Sequence, residues 1–552
     1  MSSSFFGLNI AKTGLFVSQR ALQVVSHNIA NANTPGFSRQ RLDTKAMWPD
    51  VLPGTQGTLG RGVDSESVIQ IREEFFDKKI RHENGLKGNW MIRSEILGNI
   101  ESIFNEPKDS GFTKVVDKFF SSLDELAKNP DSLTTRALVR QRAIAFTESV
   151  GDIYAKLGEL QKQVDFEVRT TANQINGYAE QIRDLNKSIY MSELGGAKSN
   201  DLRDQRNLIL DKLSELVNVD YFEDAQGHFH VMLGGKPLVS HYDFETIKVT
   251  NREERLNADD ADGLAELEWE KGGTLNLTSG QLKALVDMRD GIKGDAKGIP
   301  YYMDKLNHYT DRVSSEINRI QMEGFDLQSN KGVMFFTKNG MSSAEYRDYL
   351  LEKGLNGGKP VDLTAQVLEG TDEKFSKVKN NEIIAKNIQK ILSNNPDNAN
   401  KSVKFLDNKF YLVDRIPTDQ LKLSKDLDKD INKFAASESI QGTPGDGHNV
   451  LRIKEIRHNR QIFEWGSSDD FVKSLISNLG VDGEEAKRMQ KNEALLIVEI
   501  ENKRQSVMGV SFDEEVSDMI KFQHAYNANA RMLTTMDELL DTVINRLGTV
   551  GR

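Results

Sequence analysis

Both ends of this 552-residue chain carry residues at heptad spacing, which constrains the fold more than any other feature. Leu8, Leu15, Leu22 and Ile29 form one column; Ala11, Ser18, Val25 and Ala32 form a second, offset by three. This is the a/d seam of a coiled-coil helix, with one bulky column and one small enough to admit a partner helix closely. At the other end Met519, Phe522, Tyr526, Asn529, Leu533, Met536, Leu540, Val543 and Leu547 alternate steps of three and four, with Phe512 one heptad earlier. Asn529 is the one amide in that seam, and a buried amide there fixes register at some cost in stability. Residues 1–41 hold Lys12, Arg20, Arg39 and Arg41 and no acid, whereas 512–552 hold four basic and seven acidic residues. The two terminal helices are therefore expected to pair.

The first helix has a hard stop at Asn28, Asn31, Asn33, Thr34, Pro35, Gly36 and Phe37. Asn is expected as a left-handed cap, and Pro35-Gly36 suits the centre of a type II turn. Residues 38–70 read as extended chain and turns, ending in the strand-like Val68–Ile71. Helical patterns follow over Phe75 to about Asn105, Ser132–Leu194 and Asn200–Leu216, the last with Asp201, Arg203, Asp204 and Arg206 on its solvated side. A pattern as long as the second points to a rod rather than a globular core. Val219–Thr250 switches to period two, and Leu264–Leu277 continues the β character. Gln281–Gln321 is helical with a break near Gly291–Pro300. Within 337–465, Ala344–Gly354 and Asn381–Leu392 look helical, Val403–Val413 and Asn449–Ile456 look like strands, and Ser393–Asn400 is a polar turn. Asp470–Leu479 and Glu484–Met508 return to helix.

Composition removes whole classes of chemistry. There is no cysteine, hence no disulfide, thiolate zinc site, iron–sulfur cluster or thiol nucleophile. A net charge of −11 makes a poor phosphate neutraliser, so no nucleic-acid partner is expected. The longest clean apolar run is Ala494–Val498, far short of a membrane span, so no membrane insertion is expected. The start lacks a basic residue, and Lys12 and Arg20 interrupt any signal core, so no cleavable signal peptide is expected. His228 and His230 share a strand face near His241, but no third ligand is implied, and they read as exposed strand histidines. Asp259-Asp260-Ala261-Asp262-Gly263 fails the calcium-loop pattern and reads as a solvated turn; Asp426, Asp428, Asp430 and Asn432 read as a charged, solvated face. Gly354–Lys359 lacks the ends of a P-loop, and no nucleophile elbow or zinc-protease motif is present. Glu514-Glu515 is read as a complement to a helix dipole. No catalytic residue, metal site or cofactor is expected.

Ser26-His-Asn-Ile-Ala-Asn-Ala-Asn-Thr-Pro-Gly-Phe-Ser-Arg-Gln40 resembles the N-terminal signature of the rod, hook and hook-associated proteins of the bacterial flagellum. Gly60-Arg-Gly-Val63, Ile71-Arg72 with Phe75-Phe76, Asn318–Leu327 with Phe335-Phe336, Ser474–Gly480, and Gly509–Glu515 with Phe522-Gln523, Tyr526 and Ala530 resemble the hook-associated branch. The likeness covers roughly 1–335 and 470–552, and little of 340–465 beyond Gly445-Asp446 and Asn449. Phe37 stands where many relatives have Tyr, and Phe512 where many have Leu. The resemblance implies a structural subunit joining hook to filament, assembling through the terminal helices in a helical lattice of identical subunits. It implies contacts with hook protein and a second hook–filament junction protein, a cytoplasmic export chaperone on the C-terminal helix, and export to the cell exterior through the flagellum's own apparatus. Another axial component, such as hook protein or the second junction protein, a cytosolic coiled-coil scaffold, or a scaffold with an enzymatic or adhesive insertion in 337–465 are the alternatives. The expected fold is mainly α with β insertions: a terminal α-helical coiled coil (1–34 and 512–552), an elongated helical rod domain (35–218, 280–336 and 470–511), a β-rich segment (219–279) and an inserted α+β module (337–469). The inserted parts are expected at the end of the rod away from the termini.

Overall fold

The computed structural model describes residues 6–51, 57–104, 111–294, 297–353, 360–372, 376–393, 398, 400–464 and 466–542. Helix α1 (Phe6–Ala30) ends in a turn where the Phe37 N–H donates to the Thr34 carbonyl (3.2 Å) and Gly36 has φ +80°, the type II geometry. Neither Asn31 nor Asn33 is left-handed, contrary to expectation. The stop is made by side chains instead: Asn31 Nδ2 donates back to the His27 carbonyl, and Thr34 Oγ1 donates to Asn31 Oδ1. The chain then forms an antiparallel arm of β1 (Gln40–Ala46), β2 (Asp50–Val51), β3 (Thr58–Leu59) and β4 (Val63–Gln70). β1 pairs β4 from Gln40↔Gln70 to Ala46↔Val63, with a bulge at Asp43/Thr44, and β2 pairs β3.

The body is built from α2 (Glu74–Phe104), α3 (Phe112–Lys128), α4 (Leu133–Glu193) and α5 (Asn200–Leu216). Ser132 caps α4, its side chain accepting from Thr135 N. Val139, Ala143, Phe146, Val150, Ile153, Leu157, Leu160, Val164 and Val168 keep one face of α4 buried. With 61 residues, α4 is about 90 Å long. Helix α3, absent from the sequence reading, buries Phe112, Val116, Phe119, Phe120, Leu123 and Leu126 against it.

A four-stranded antiparallel sheet, β5 (Val219–Glu223), β6 (Phe229–Leu233), β7 (Lys236–Ser240) and β8 (Asp243–Phe244) in that order, precedes the hairpin β9 (Ile247–Asn251) and β10 (Ala265–Trp269). Both lie along the C-terminal half of α4, not at the far end of the rod as expected. Asn186 Nδ2 donates to the carbonyls of Phe229 and His241, and Asn176 exchanges two hydrogen bonds with the backbone of Ile247. Their inward residues merge with the helical core, leaving no separate hydrophobic centre. Helices α6 (Gln281–Asp290) and α7 (Ile299–Glu323) complete that core.

The inserted region comprises β11 (Phe336–Lys338), α8 (Ser343–Lys353), β12 (Val361–Asp362), α9 (Thr364–Val367), α10 (Lys377–Ser393), β13 (Lys401–Leu406), β14 (Lys409–Asp414), β15 (Leu421–Leu423), α11 (Lys425–Lys429) and α12 (His448–Glu455). Asp407 and Asn408 both adopt positive φ, which gives β13 and β14 a two-residue hairpin of the kind their twist favours. Two small apolar clusters, one around Val367, Ile384 and Phe410 and one around Tyr346, Leu350 and Val413, support this region. It adjoins the N-terminal end of α4, where Arg136 donates to the carbonyls of Ile431, Asn432 and Phe434. Residues 449–456 were expected as a strand but form α12 up to Glu455, with Ile456 as its C-cap: Val450, Ile453 and Ile456 are buried at steps of three. Helix α13 (Ser468–Met508) opens with a Ser467/Asp470 capping box and runs unbroken through Gly480 and Gly483, where two helices were expected. It packs along α2. Helix α14 (Phe512–Asp541) ends the described chain.

Candidate functional site

Helices α1 and α14 pack antiparallel with a seven-residue beat. A Cβ on Gly7 would meet Met536, a Cβ on Gly14 would lie 2.7 Å from Asn529 Oδ1, and Asn28 bonds Glu515. The α1 residues buried in the body are Ala11, Ser18, Ala21, Val25 and Asn28. The small column therefore lies in the intramolecular seam, except Ala32, which is exposed beyond the helix end. Leu8, Leu15, Leu22 and Ile29 stand beside the seam, half-buried. On α14, Met519, Phe522, Tyr526, Asn529, Leu533, Met536 and Leu540 are half-buried while most other positions are exposed. Val543 and Leu547 lie outside the described residues, as does Gly354–Lys359.

Ser38, Arg39 and Gln40 tie this pair to the body, each to a different partner. Ser38 donates from its N–H (2.8 Å) and its Oγ (2.7 Å) to Asp204 on α5. Arg39 Nε donates to Glu515 (2.6 Å) and Nη1 to Glu514 (2.8 Å), with Asp518 at 3.7 Å, while its backbone N–H donates to the Met508 carbonyl. The Gln40 N–H donates to Asn28 Oδ1, and Asn28 Nδ2 donates to the Gln40 carbonyl and to Glu515 Oε2. Gln40 Nε2 reaches Asp201 on α5 (2.7 Å). Behind Ser38, Arg72 joins Asp204 to Asp77, and Arg504 of α13 joins Asp77 to Asp211. Burial works against the Arg72 and Arg504 charges, but the carboxylates facing them outweigh it and hold both above the ordinary arginine value. Burial raises Asp204, with Ser38 and Arg72 only partly offsetting it.

Several expectations change here. Asp204 and Arg206 are not on a solvated face: they are 5% and 4% exposed. Arg206 bonds Asn186 and lies 3.7 Å over the Phe229 ring, because the β-sheet covers that side of α5. Glu515 is more than a dipole complement; at 1% exposure it is the buried acceptor shared by Arg39 and Asn28. Of the four cations in residues 1–41, Arg39 alone makes an ion pair with α14 among the described residues. Asp260 is not in a solvated turn but buried, accepting from Gln161 and Asn257 to fasten its loop to α4. His228 and His230 both face Asp224, and the His228 and His241 rings sit 4.0 Å apart. Asp426 accepts from the Ser343 N–H, while Asp428 is exposed. Arg39 and Asp204 went unrecognised as joint residues because their partners lie 475 and 166 residues away. The adjacency of Ser38-Arg39-Gln40 to the turn is the one local signal. Among the described residues no group of three or more His, Asp or Glu is placed to hold a metal, and no helix is long and apolar enough to cross a membrane.

A helix pair made from both ends of one chain is pinned by a short turn and arm to a long helical body, and the family models that match this chain are those of flagellar rod and hook-associated proteins. The family described as "Flagella basal body rod protein" matches residues 8–37, "Flagellar basal body rod FlgEFG protein C-terminal" matches 503–547, and "Flagellar hook-associated protein FlgK helical domain" matches 97–336. Along its whole length the chain is similar to proteins named flagellar hook-associated protein 1. It is 29% identical over 569 residues to flagellar hook-associated protein 1 of Bacillus subtilis (strain 168), covering all of both chains. To the proteins of that name from Salmonella typhimurium and Escherichia coli (strain K12) it is 24% identical, over 98% of this chain and 99% of each relative. The flagellar hook junction protein FlgK from Burkholderia pseudomallei shares the fold, with a TM-score of 0.55 and 13% identity over 78% of this chain and 100% of that one. The family is one of structural flagellar proteins, extracellular components that assemble with other hook and filament parts.

Proposed function

We propose that this chain is the structural subunit that forms the junction between flagellar hook and filament, and that it assembles through α1 and α14. The observation that carries this reading is the terminal pair itself, whose intramolecular seam uses the small column and leaves Leu8, Leu15, Leu22 and Ile29 half-buried beside it. A lone pair of helices is marginal in water, and neighbouring copies that cover this second column stabilise it. The contacts between identical subunits are heterologous and repeat around a helical lattice. Hook protein lies on one side of the layer and the second junction protein on the other. Before export a cytoplasmic chaperone covers the apolar face of α14. The signature turn from Asn28 to Phe37 sets the angle at which the pair leaves the body. The chain performs no catalysis and inserts in no membrane.

The test is substitution on the half-buried column. Leu22→Glu abolishes incorporation into flagella while the circular dichroism of the purified chain stays helical; normal motility in that strain overturns the reading. Leu533→Glu on α14 is expected to behave alike. In addition, the purified chain forms a layer on the tips of isolated hooks, seen by electron microscopy.

A further inference from the structure

Between α7, α10 and the Gln461–Glu464 segment ahead of α13 lies a cavity of about 370 Å³. It has the size of a small-molecule site, and its chemistry is unlike the rest of this acidic chain. Arg312, Lys401, Lys305 and Arg415 line it, against the carboxylates Asp304 and Glu464. Arg415 is paired with Asp304 at 2.9 Å and approaches Asp259 at 3.7 Å. Arg312 and Lys401 form no ion pair among the described residues. The buried Arg312 guanidinium donates only to carbonyls, from Nε and Nη2 to Ile462 (3.3 and 3.1 Å) and from Nη2 to Ala385 (3.4 Å). Burial outweighs the fields of Glu316 and Asp311 on that guanidinium and lowers it from the ordinary arginine value, and an arriving anion offsets the cost. His308 also lines the cavity with no hydrogen-bond partner among the described residues, packed against Phe463 and Phe471. Burial, then the fields of Arg312 and Arg415, push its imidazole down to about 4, so the ring is neutral at pH 7. With Lys293 as a further cation in the lining, cations outnumber the two carboxylates and make the space electropositive. Ile462, Phe463 and Phe471 supply an apolar floor.

We propose that this cavity binds a small organic oxyanion, a phosphate or carboxylate carried on a flat apolar group. Arg312 and Lys401 take the charge, His308 donates one hydrogen bond, and Phe463 and Phe471 hold the apolar body. The site is made from the rod helix α7, the inserted helix α10 and the start of α13, so its occupant fastens the inserted region to the rod. Binding to the folded chain alone raises its melting temperature.

Isothermal calorimetry of the full chain at low salt, with phenyl phosphate, benzoate, inorganic phosphate and phenol as probes, tests this. Phenyl phosphate or benzoate binds about tenfold or more tightly than inorganic phosphate, because ring burial adds to the charge contact, and phenol gives no measurable heat. Whichever of phenyl phosphate and benzoate binds better identifies the oxyanion. Lys401→Glu weakens binding at least about tenfold with an unchanged circular dichroism spectrum, and Arg312→Lys weakens it in a second, charge-conserving variant. The proposal is overturned by absence of binding to both aromatic anions at about 1 mM. It is equally overturned by affinity that Lys401→Glu leaves unchanged in a folded chain.

Discussion

Arg39 shows how much one side chain carries. It links the chain just ahead of β1 to the first turn of the last helix, and its main partner, Glu515, is buried. Arg39→Ala leaves that carboxylate facing only Asn28, and stranding a buried charge costs about 3 kcal/mol or more. Hydrogen exchange at the start of α14 should quicken accordingly, while exchange in α4 stays slow. Asp446 gives a second residue-level expectation. Burial pushes its carboxyl up, but donors from His448, Glu438 and Ser437 outweigh this and hold it at about 2. Because the folded value lies below the unfolded one, its stabilisation is present above about pH 4 and lost as pH falls toward 2. His448 is raised by Asp446, so its own share is present below about 6.5 and fades as pH rises through the raised value. Urea titrations at pH 7 and pH 3 should therefore show a smaller acid loss in Asp446→Asn than in the parent chain.

Among the elements, the terminal pair depends on close approach. Gly14→Ala favours an isolated helix by about 1 kcal/mol, yet its Cβ would press on the Asn529 amide. The variant should loosen the pair, read as faster proteolysis within 512–542, and adding Asn529→Ala should recover much of the loss. Helix α13 predicts the opposite sign. Gly480 and Gly483 face open space in mid-helix, so Gly480→Ala and Gly483→Ala should each raise stability by about 0.5–1 kcal/mol in urea unfolding. The long helices are readable from sequence, α5 with the same bounds and α4 within a residue, because burial of one face writes its period into the chain over many turns. Short α12 is not, since eight residues hold too few turns to separate period three from alternation. The break expected at Gly480–Gly483 fails because packing against α2 outweighs the weak propensity of two glycines. The site divides the same way. Its seams are visible as spacing, whereas Arg39, Asp204 and Glu515 look like solvated charges until the fold brings their partners across.

For the whole molecule, the arrangement separates two mechanical units. Helix α14 packs chiefly on α1, whereas the continuous core runs from Ile92 to Ala486. Ending the chain after Ser511 should therefore leave the main calorimetric transition within about 2 °C, while α1 becomes protease-sensitive. The β-sheet and the inserted region sit at opposite ends of α4, the first near Ser38–Gln40 and the second near Leu133. That placement turns α4 into a lever. Its C-terminal end is held near the joint through Glu193, Arg203 and α5, and its N-terminal end bonds the inserted region at Phe434 through Arg136. Over about 90 Å, each degree of rotation at Ser38–Gln40 sweeps the far end by roughly 1.6 Å. A swing of about five degrees thus moves the outer surface by about 8 Å while the terminal helices stay in register.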